Sequence, residues 1–304
     1  MNLSAVINQL ISLFLMMLAG YLVARVGIMT PEFRKRLSSF TLNTAAPCII
    51  ISSVLESDSS PMAMISAAGI GVLFFVLMII FAAVLVRLMR TKPEDRGLDQ
   101  LMLIFTNVGF MGIPVVQSVY GPDGVARLSM FILIFNLCFF SYGVLLITRG
   151  AKFSLKDMVN ACIIAALIGL LFGVTGWHLP EAIETTLASI GSMNTPLAMM
   201  IIGASVAHSD LRAAMTNPRL YRICLLSMVV MPLLMLLVML PLPIDRMLVG
   251  ISVLLAGMPI AGNCGMICDI YRPSDMTASH AVLVSTLLSG VTLPLLCALI
   301  AAVL

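Results

Sequence analysis

Apolar residues run along this chain in ten long stretches, at about 4–24, 33–55, 62–86, 98–119, 127–148, 157–176, 183–207, 220–241, 246–268 and 278–302. Each holds roughly 20 residues or more, enough for a helix to cross about 30 Å of hydrocarbon. Polar residues gather in short, turn-like connections such as Glu56–Pro61, Tyr120–Gly124 and Pro241–Asp245. The pattern predicts an all-α polytopic membrane protein with ten transmembrane helices. No connection has room for a separate soluble domain, so residues 1–304 are expected to form a single membrane domain.

Two of the ten stretches are interrupted at their centres. The fourth reads Asn107-Val-Gly109-Phe-Met-Gly112-Ile-Pro114, and the ninth reads Ala256-Gly257-Met-Pro259-Ile-Ala-Gly262-Asn263. Proline has no N–H to donate and its ring clashes with the preceding turn, while glycine opens backbone conformations closed to other residues. Open backbone at membrane depth is tolerated only where it is buried in protein or lines a polar cavity. Paired interruptions in corresponding halves of a chain therefore point to a transporter's binding site.

Composition sharpens the membrane reading. The chain is 61% hydrophobic and 10% charged, with a mean hydropathy of +1.11, so a bilayer has to serve as its solvent. The first basic residue is Arg25, so the opening stretch lacks the positive start of a secretory signal and is expected to be a retained span. The net charge of +3 says less than its distribution. Connections after the odd-numbered stretches carry 15 of the 17 Lys and Arg, while the acidic residues divide 8 to 6. The positive-inside rule then places the odd connections in the cytoplasm and both termini outside a cytoplasmic membrane.

The same count gives the halves opposite orientations. Stretch 2 carries Asn43-Thr-Ala-Ala-Pro47 and stretch 7 carries Asn194-Thr-Pro196. Pro47 and Pro196 lie 149 positions apart, and Pro114 and Pro259 lie 145 apart. Two landmarks at nearly one offset, with five crossings per half, predict inverted repeats over 1–150 and 151–304.

The interruptions supply chemistry. Splitting stretches 4 and 9 leaves half-helix N-termini with unpaired N–H groups and positive dipole character, suited to a carboxylate. Asn107 and Asn263 add neutral groups that donate and accept. Two readings stand for these amides: contact with a ligand, or satisfaction of backbone groups freed by the breaks. No stretch holds a basic residue near its centre, so an anion would be met by dipoles rather than by a costly buried cation. The candidate substrate-binding residues are Asn107, Gly109, Gly112, Pro114, Pro259, Gly262 and Asn263, with Asn43, Pro47, Asn194 and Pro196 bending stretches 2 and 7 beside them. Asn8, Gln9, Asn136 and Ser205 are read as interhelical hydrogen-bonding residues.

No carboxylate falls at mid-membrane. Asp269 comes nearest, about 15 Å along the helix from Pro259, and is the candidate for ion coupling, with an ordinary interfacial role beside Arg272 as the alternative. His178, His208 and His280 sit at stretch ends. The seven cysteines are embedded in apolar runs and odd in number, which argues against a disulfide framework. Cys264 and Cys268 lack a third ligand nearby, so no metal or cofactor is expected. The 24 methionines are scattered through the stretches and read as packing residues. Gly169 and Gly173 match the small-residue pattern of close helix packing, within the monomer or in a homodimer. A basic stripe interleaved with aromatics is missing, so nucleic acid is not an expected partner. Neither a zinc-protease motif nor an acidic pair marks an intramembrane enzyme, and no output domain marks a membrane sensor.

Several of these segments resemble the auxin efflux carrier family, which includes plant PIN proteins and bacterial organic-anion carriers. Phe105-Thr-Asn107-Val-Gly109-Phe-Met-Gly112-Ile-Pro114, followed by Tyr120-Gly121, is similar to the family's fourth span. Leu197 to Gly203 resembles its seventh and Ala256 to Asn263 its ninth. The resemblance implies a scaffold domain, a transport domain with crossed broken helices, and an elevator-like movement. It makes Asn107, Pro114, Pro259 and Asn263 crossing and substrate-site positions. The central connection, Arg149 to Lys156, is short where long plant PIN proteins carry a hydrophilic loop. That departure favours a microbial carrier of a dicarboxylate or other small organic acid over auxin. The bile-acid/sodium symporters share the crossed-helix architecture; without an acid beside each crossing, sodium ranks behind a proton or uniport here.

Overall fold

The computed structural model describes residues 3–56, 60–148, 161–177, 179–208, 216–272 and 276–304. The described elements are helical, in the order α1 (Leu3–Arg25), α2 (Pro31–Phe40), α3 (Ala46–Leu55), α4 (Pro61–Leu88), α5 (Arg96–Ile104), α6 (Gly112–Cys138), α7 (Val144–Thr148), α8 (Ala161–Thr175), α9 (Glu181–Ser192), α10 (Asn194–Ala207), α11 (Pro218–Leu225), α12 (Met231–Met239), α13 (Arg246–Ala256), α14 (Gly262–Tyr271) and α15 (Thr277–Val303). Single π-helical turns at Thr41–Ala45, Phe139–Gly143 and Leu226–Val230 join α2 to α3, α6 to α7 and α11 to α12.

Helix starts fall where the polar connections predict them. Thr30 accepts the Phe33 N–H at 3.2 Å ahead of Pro31. Asn217 accepts from Arg219 at 3.0 Å ahead of Pro218, and Asp245 accepts from Met247 at 2.9 Å. Each cap satisfies a donor that the first helical turn leaves open, and proline is placed where its missing N–H costs nothing.

Among the described residues, six helical segments are long and apolar enough to cross a membrane: Pro31–Leu55, Pro61–Leu88, Gly112–Thr148, Glu181–Ala207, Pro218–Met239 and Thr277–Val303. Shorter apolar helices cover Ile11–Arg25, Ala161–Gly173 and Arg246–Ala256. The turn expected at Tyr120–Gly124 is present as a sharp kink at which two helical pieces meet. Gly121 takes φ 64° and ψ −157°, a left-handed geometry open to glycine, and Pro122 begins the helix that follows. Along α4 the exposed large residues are Met62, Ile65, Val72, Val76, Ile80, Val84 and Leu88, spaced as one helical stripe. A continuous apolar face of this length is what lipid-facing helices present.

The chain divides into two compact units. The first comprises Met1–Gly71, Gly109–Ile134 and Lys156–His208, and the second Val72–Val108, Phe135–Leu155 and Ser209–Leu304. In the first, α1 and α10 pack backbone to backbone: a Cβ on Gly20 would collide with Met200 and one on Gly203 with Met17. Small residues permit this approach where lipid gives no hydrophobic drive to helix association. Gly169 and Gly173 of α8 likewise meet Val54 and Met64 of the same chain. Arg34 donates to Ser205 Oγ at 3.1 Å, tying α2 to α10.

In the second unit, α13 is buried on all sides from Leu248 to Ala256. Phe75, Phe105, Phe135 and Phe139 form an aromatic cluster, with Phe105 edge-on to Phe139 at 5.0 Å and to Phe135 at 5.6 Å. That cluster anchors the residue at which the fourth apolar stretch breaks.

Candidate functional site: two broken helices joined by a backbone bridge

Both predicted interruptions are breaks. In the second unit α5 ends at Ile104, and Phe105 is extended at φ −100°, ψ 90°. The helix α13 ends at Ala256, and Ala261 is extended at φ −64°, ψ 137° before α14 begins. Thr106 and Ile260 pair as an isolated antiparallel β-bridge. The Asn107 N–H donates to Pro259 O at 2.8 Å, and the Ala261 N–H donates to Phe105 O at 3.0 Å. Proline cannot donate, so position 259 contributes what it has, a carbonyl. Each break thus supplies hydrogen-bonding partners for the other, as buried backbone away from water requires.

Side chains complete the crossing. Thr106 Oγ1 donates to Leu255 O at 2.7 Å, a carbonyl of the last turn of α13. The Ile260 N–H donates to Ser285 Oγ of α15 at 3.0 Å. Thr106 and Ser285 were missed by the sequence reading. Thr106 was legible as a hydroxyl beside Asn107 inside an apolar run, whereas nothing local marked Ser285.

Just beyond the bridge, α14 starts with no side-chain cap. Of its first N–H groups, that of Cys264 turns back to Ala261 O at 3.0 Å. Gly262 is exposed, Asn263 half-buried, and a Cβ on Gly262 would meet nothing within 4 Å. An uncapped helix N-terminus beside open space and an amide side chain can receive an anion without a cation. Cys264 is buried, with Sγ directed at Phe105 O (3.6 Å).

The remaining predicted residues lie in the first unit. Gly112 and Pro114 are buried in the first turn of α6, Gly109 is half-buried, and a Cβ on Gly109 would also meet open space. Gln117, on the same helix, accepts from Thr195 Oγ1 at 3.4 Å, which brings the helix of Pro114 to the start of α10. Asn194, next to Thr195, is 2% exposed, and among the described residues its Nδ2 has no hydrogen-bond partner. Pro196 is exposed in the first turn of α10. Asn43 lies exposed in the π-helical turn before Pro47 and donates to Ser39 O at 2.8 Å. The Asp269 side chain, His178 and the central connection Arg149–Lys156 fall outside the described residues.

Sequence reasoning also passed over Asp99, a 1%-exposed carboxylate in α5. Arg219 donates to its Oδ1 from Nη2 (2.6 Å) and Nε (3.2 Å), and Thr91 Oγ1 donates to Oδ2 at 3.0 Å. Arg219 Nη1 reaches Asp95 at 3.0 Å, and Arg272 reaches Asp95 at 3.6 Å. The half-helices α5 and α14 are therefore tied twice within this unit, by the bridge at their inner ends and by this ionic network at their outer ends.

Apolar lipid-length helices with a bridged pair of helix breaks define a multi-pass helical membrane protein. A family model described as "Membrane transport protein" matches residues 5–155 and 150–297. The chain belongs to this family, the auxin efflux carriers, which are membrane transporters rather than enzymes. It is similar to an "Uncharacterized transporter" of Methanothermobacter thermautotrophicus, 25% identical over 301 residues that cover 95% of this chain and 96% of the relative. An "Uncharacterized transporter" of Methanocaldococcus jannaschii is 28% identical over 211 residues, covering 65% and 68%.

Proposed function

We propose that this protein is a secondary transporter that moves a small organic anion, a carboxylate or dicarboxylate, across the cytoplasmic membrane by elevator-type alternating access. The observation that carries the reading is the backbone bridge between Phe105–Asn107 and Pro259–Ala261, with the uncapped start of α14 beside it. The carboxylate meets the N–H groups at Gly262 and Asn263, with the Asn107 and Asn263 amides fixing its orientation. On this reading the chain crosses the membrane ten times as two inverted five-helix repeats, with both termini on the outer side. In support, 1–71 falls in one compact unit with 156–208 and 72–108 in the other with 209–304, although 109–134 joins the first unit while its counterpart in the second half stays in the second. Asp269 is assigned the coupling role, with the buried Asp99 as its competitor in the same unit.

Counterflow in proteoliposomes, run with a panel of mono- and dicarboxylates with and without sodium or a pH gradient, tests the proposal. Asn107→Ala and Asn263→Ala are each expected to slow uptake at least about tenfold, the loss of one hydrogen bond to a charged ligand. Normal transport in both folded variants would remove the crossing as the substrate site. Asp269→Asn should abolish dependence on the pH gradient while exchange persists; the same result in Asp99→Asn alone would move the coupling role there.

A further inference from the structure

The loop after α4 is built at a conformational cost. Arg90 holds φ 54°, donating its N–H to Arg87 O at 3.0 Å while Thr91 N–H reaches Val86 O at 3.4 Å. This is the helix stop in which glycine normally occupies the left-handed position. An arginine kept there is an observed backbone outlier, the kind from which a functional hypothesis can start. It lies on a cavity of about 370 Å³ in the second unit, whose lining also includes Lys92 and Arg222.

The charges of that cavity do not cancel. Its two carboxylates, Asp95 and Asp99, are engaged by Arg219, with Arg272 also reaching Asp95. Arg90, Lys92 and Arg222 stand exposed around them, and among the described residues none of the three makes an ion pair or side-chain hydrogen bond. Three cations with no ion-pair partner among the described residues, set around a satisfied floor, form a receptor for an oxyanion with several acceptor atoms. The chain next to them is greasy. Leu88, at the end of the apolar stripe of α4, is 72% exposed, and Leu225, one turn beyond Arg222, is 57% exposed.

We propose that the cavity bordered by Arg90, Lys92 and Arg222 binds the phosphodiester headgroup of an anionic phospholipid. Basic pockets at the ends of membrane helices are suited to such headgroups, and the exposed leucines offer the acyl chains an apolar path that a free phosphate would not use. Charge asymmetry for topology alone needs basic residues in the loop, but neither a cavity nor an arginine in a left-handed turn.

Native mass spectrometry of the full chain in detergent, titrated separately with phosphatidylglycerol, phosphatidylcholine and inorganic phosphate, decides the matter. One phosphatidylglycerol per chain is expected to bind at least about tenfold more tightly than phosphatidylcholine, since each nearby cation contributes roughly a fivefold gain. The Arg90→Ala/Lys92→Ala/Arg222→Ala variant should fall to the phosphatidylcholine level, while Arg25→Ala/Lys35→Ala/Arg36→Ala, with the same charge removed elsewhere, should keep the lipid. Arg90→Gly separates binding from folding: it suits the left-handed turn, so its melting temperature should hold or rise while lipid binding weakens about fivefold. Equal retention of the two lipids, or retention by the first triple variant, overturns the proposal. Displacement of the lipid by millimolar inorganic phosphate would reassign the cavity to a free anion.

Discussion

At the crossing, the N–H groups of Asn107 and Ala261 have carbonyl partners across the bridge, and that of Ile260 has the Ser285 hydroxyl. At the bend between α9 and α10 the backbone stays bonded, with Met193 N–H on Ile190 O at 3.2 Å and Leu197 N–H on Met193 O at 3.1 Å. There it is a side chain, Asn194, that is buried without a partner for its Nδ2 among the described residues. The first region opens its backbone and replaces the lost bonds. The second keeps its backbone and leaves a donor unsatisfied, at a cost of about 1–3 kcal/mol. A buried group of this sort needs a reason, and a ligand that supplies the missing acceptor is one.

The largest effect should come from attacking the bridge. Ala261 sits at φ −64°, an angle proline adopts without strain. Ala261→Pro therefore chiefly removes the N–H that reaches Phe105 O and crowds that carbonyl. Leaving a buried carbonyl unpaired and inserting a ring should cost about 3 kcal/mol, read as a fall in the melting temperature of the detergent-purified protein. An unchanged melting temperature would mean that the bridge contributes nothing to the fold.

Asn194→Leu probes the other region and should move stability the opposite way. Replacing an unpaired buried amide by an apolar group of similar size is neutral or stabilising, so the melting temperature should hold or rise. Counterflow should nonetheless fall about tenfold if the amide donates to substrate. Destabilisation would show that the amide is bonded in the folded protein and dissolve the contrast with the crossing.

The two helix breaks were legible in the sequence because their cause is local. Glycine and proline within an apolar run leave the helix few ways to continue, and two such runs at one offset call for each other as partners. The partners themselves were less legible. Ser285 lies 25 residues beyond Ile260 in a run whose periodicity says nothing of a hydroxyl bonded to a distant N–H. Asp99 looked like a connection acid because its neighbours are charged. Tertiary packing buries it, and Arg219, 120 positions away, together with the Thr91 hydroxyl makes that burial tolerable. The kink at Gly121 was expected as a turn: the composition announced the break, but not that helix would resume at once.

The smallest effect is expected at Asn43, and it sharpens the comparison because Asn43 and Asn194 open similar Asn-Thr motifs. Two extra residues separate Asn43 from its proline, and the π-helical turn at Thr41–Ala45 takes up that region of the chain. The Asn43 side chain is exposed, and its amide is already spent on Ser39 O and Ser39 Oγ. Such a bond back to the preceding turn of its own helix competes weakly with solvent. Asn43→Ala should thus cost no more than about 0.5 kcal/mol and leave counterflow unchanged, whereas Asn194→Leu keeps or raises the melting temperature and slows counterflow. If Asn43→Ala instead stopped transport at unchanged melting temperature, the bonded amide would have to release Ser39 during the cycle, and the two motifs would be functional equals in spite of their different resting geometry.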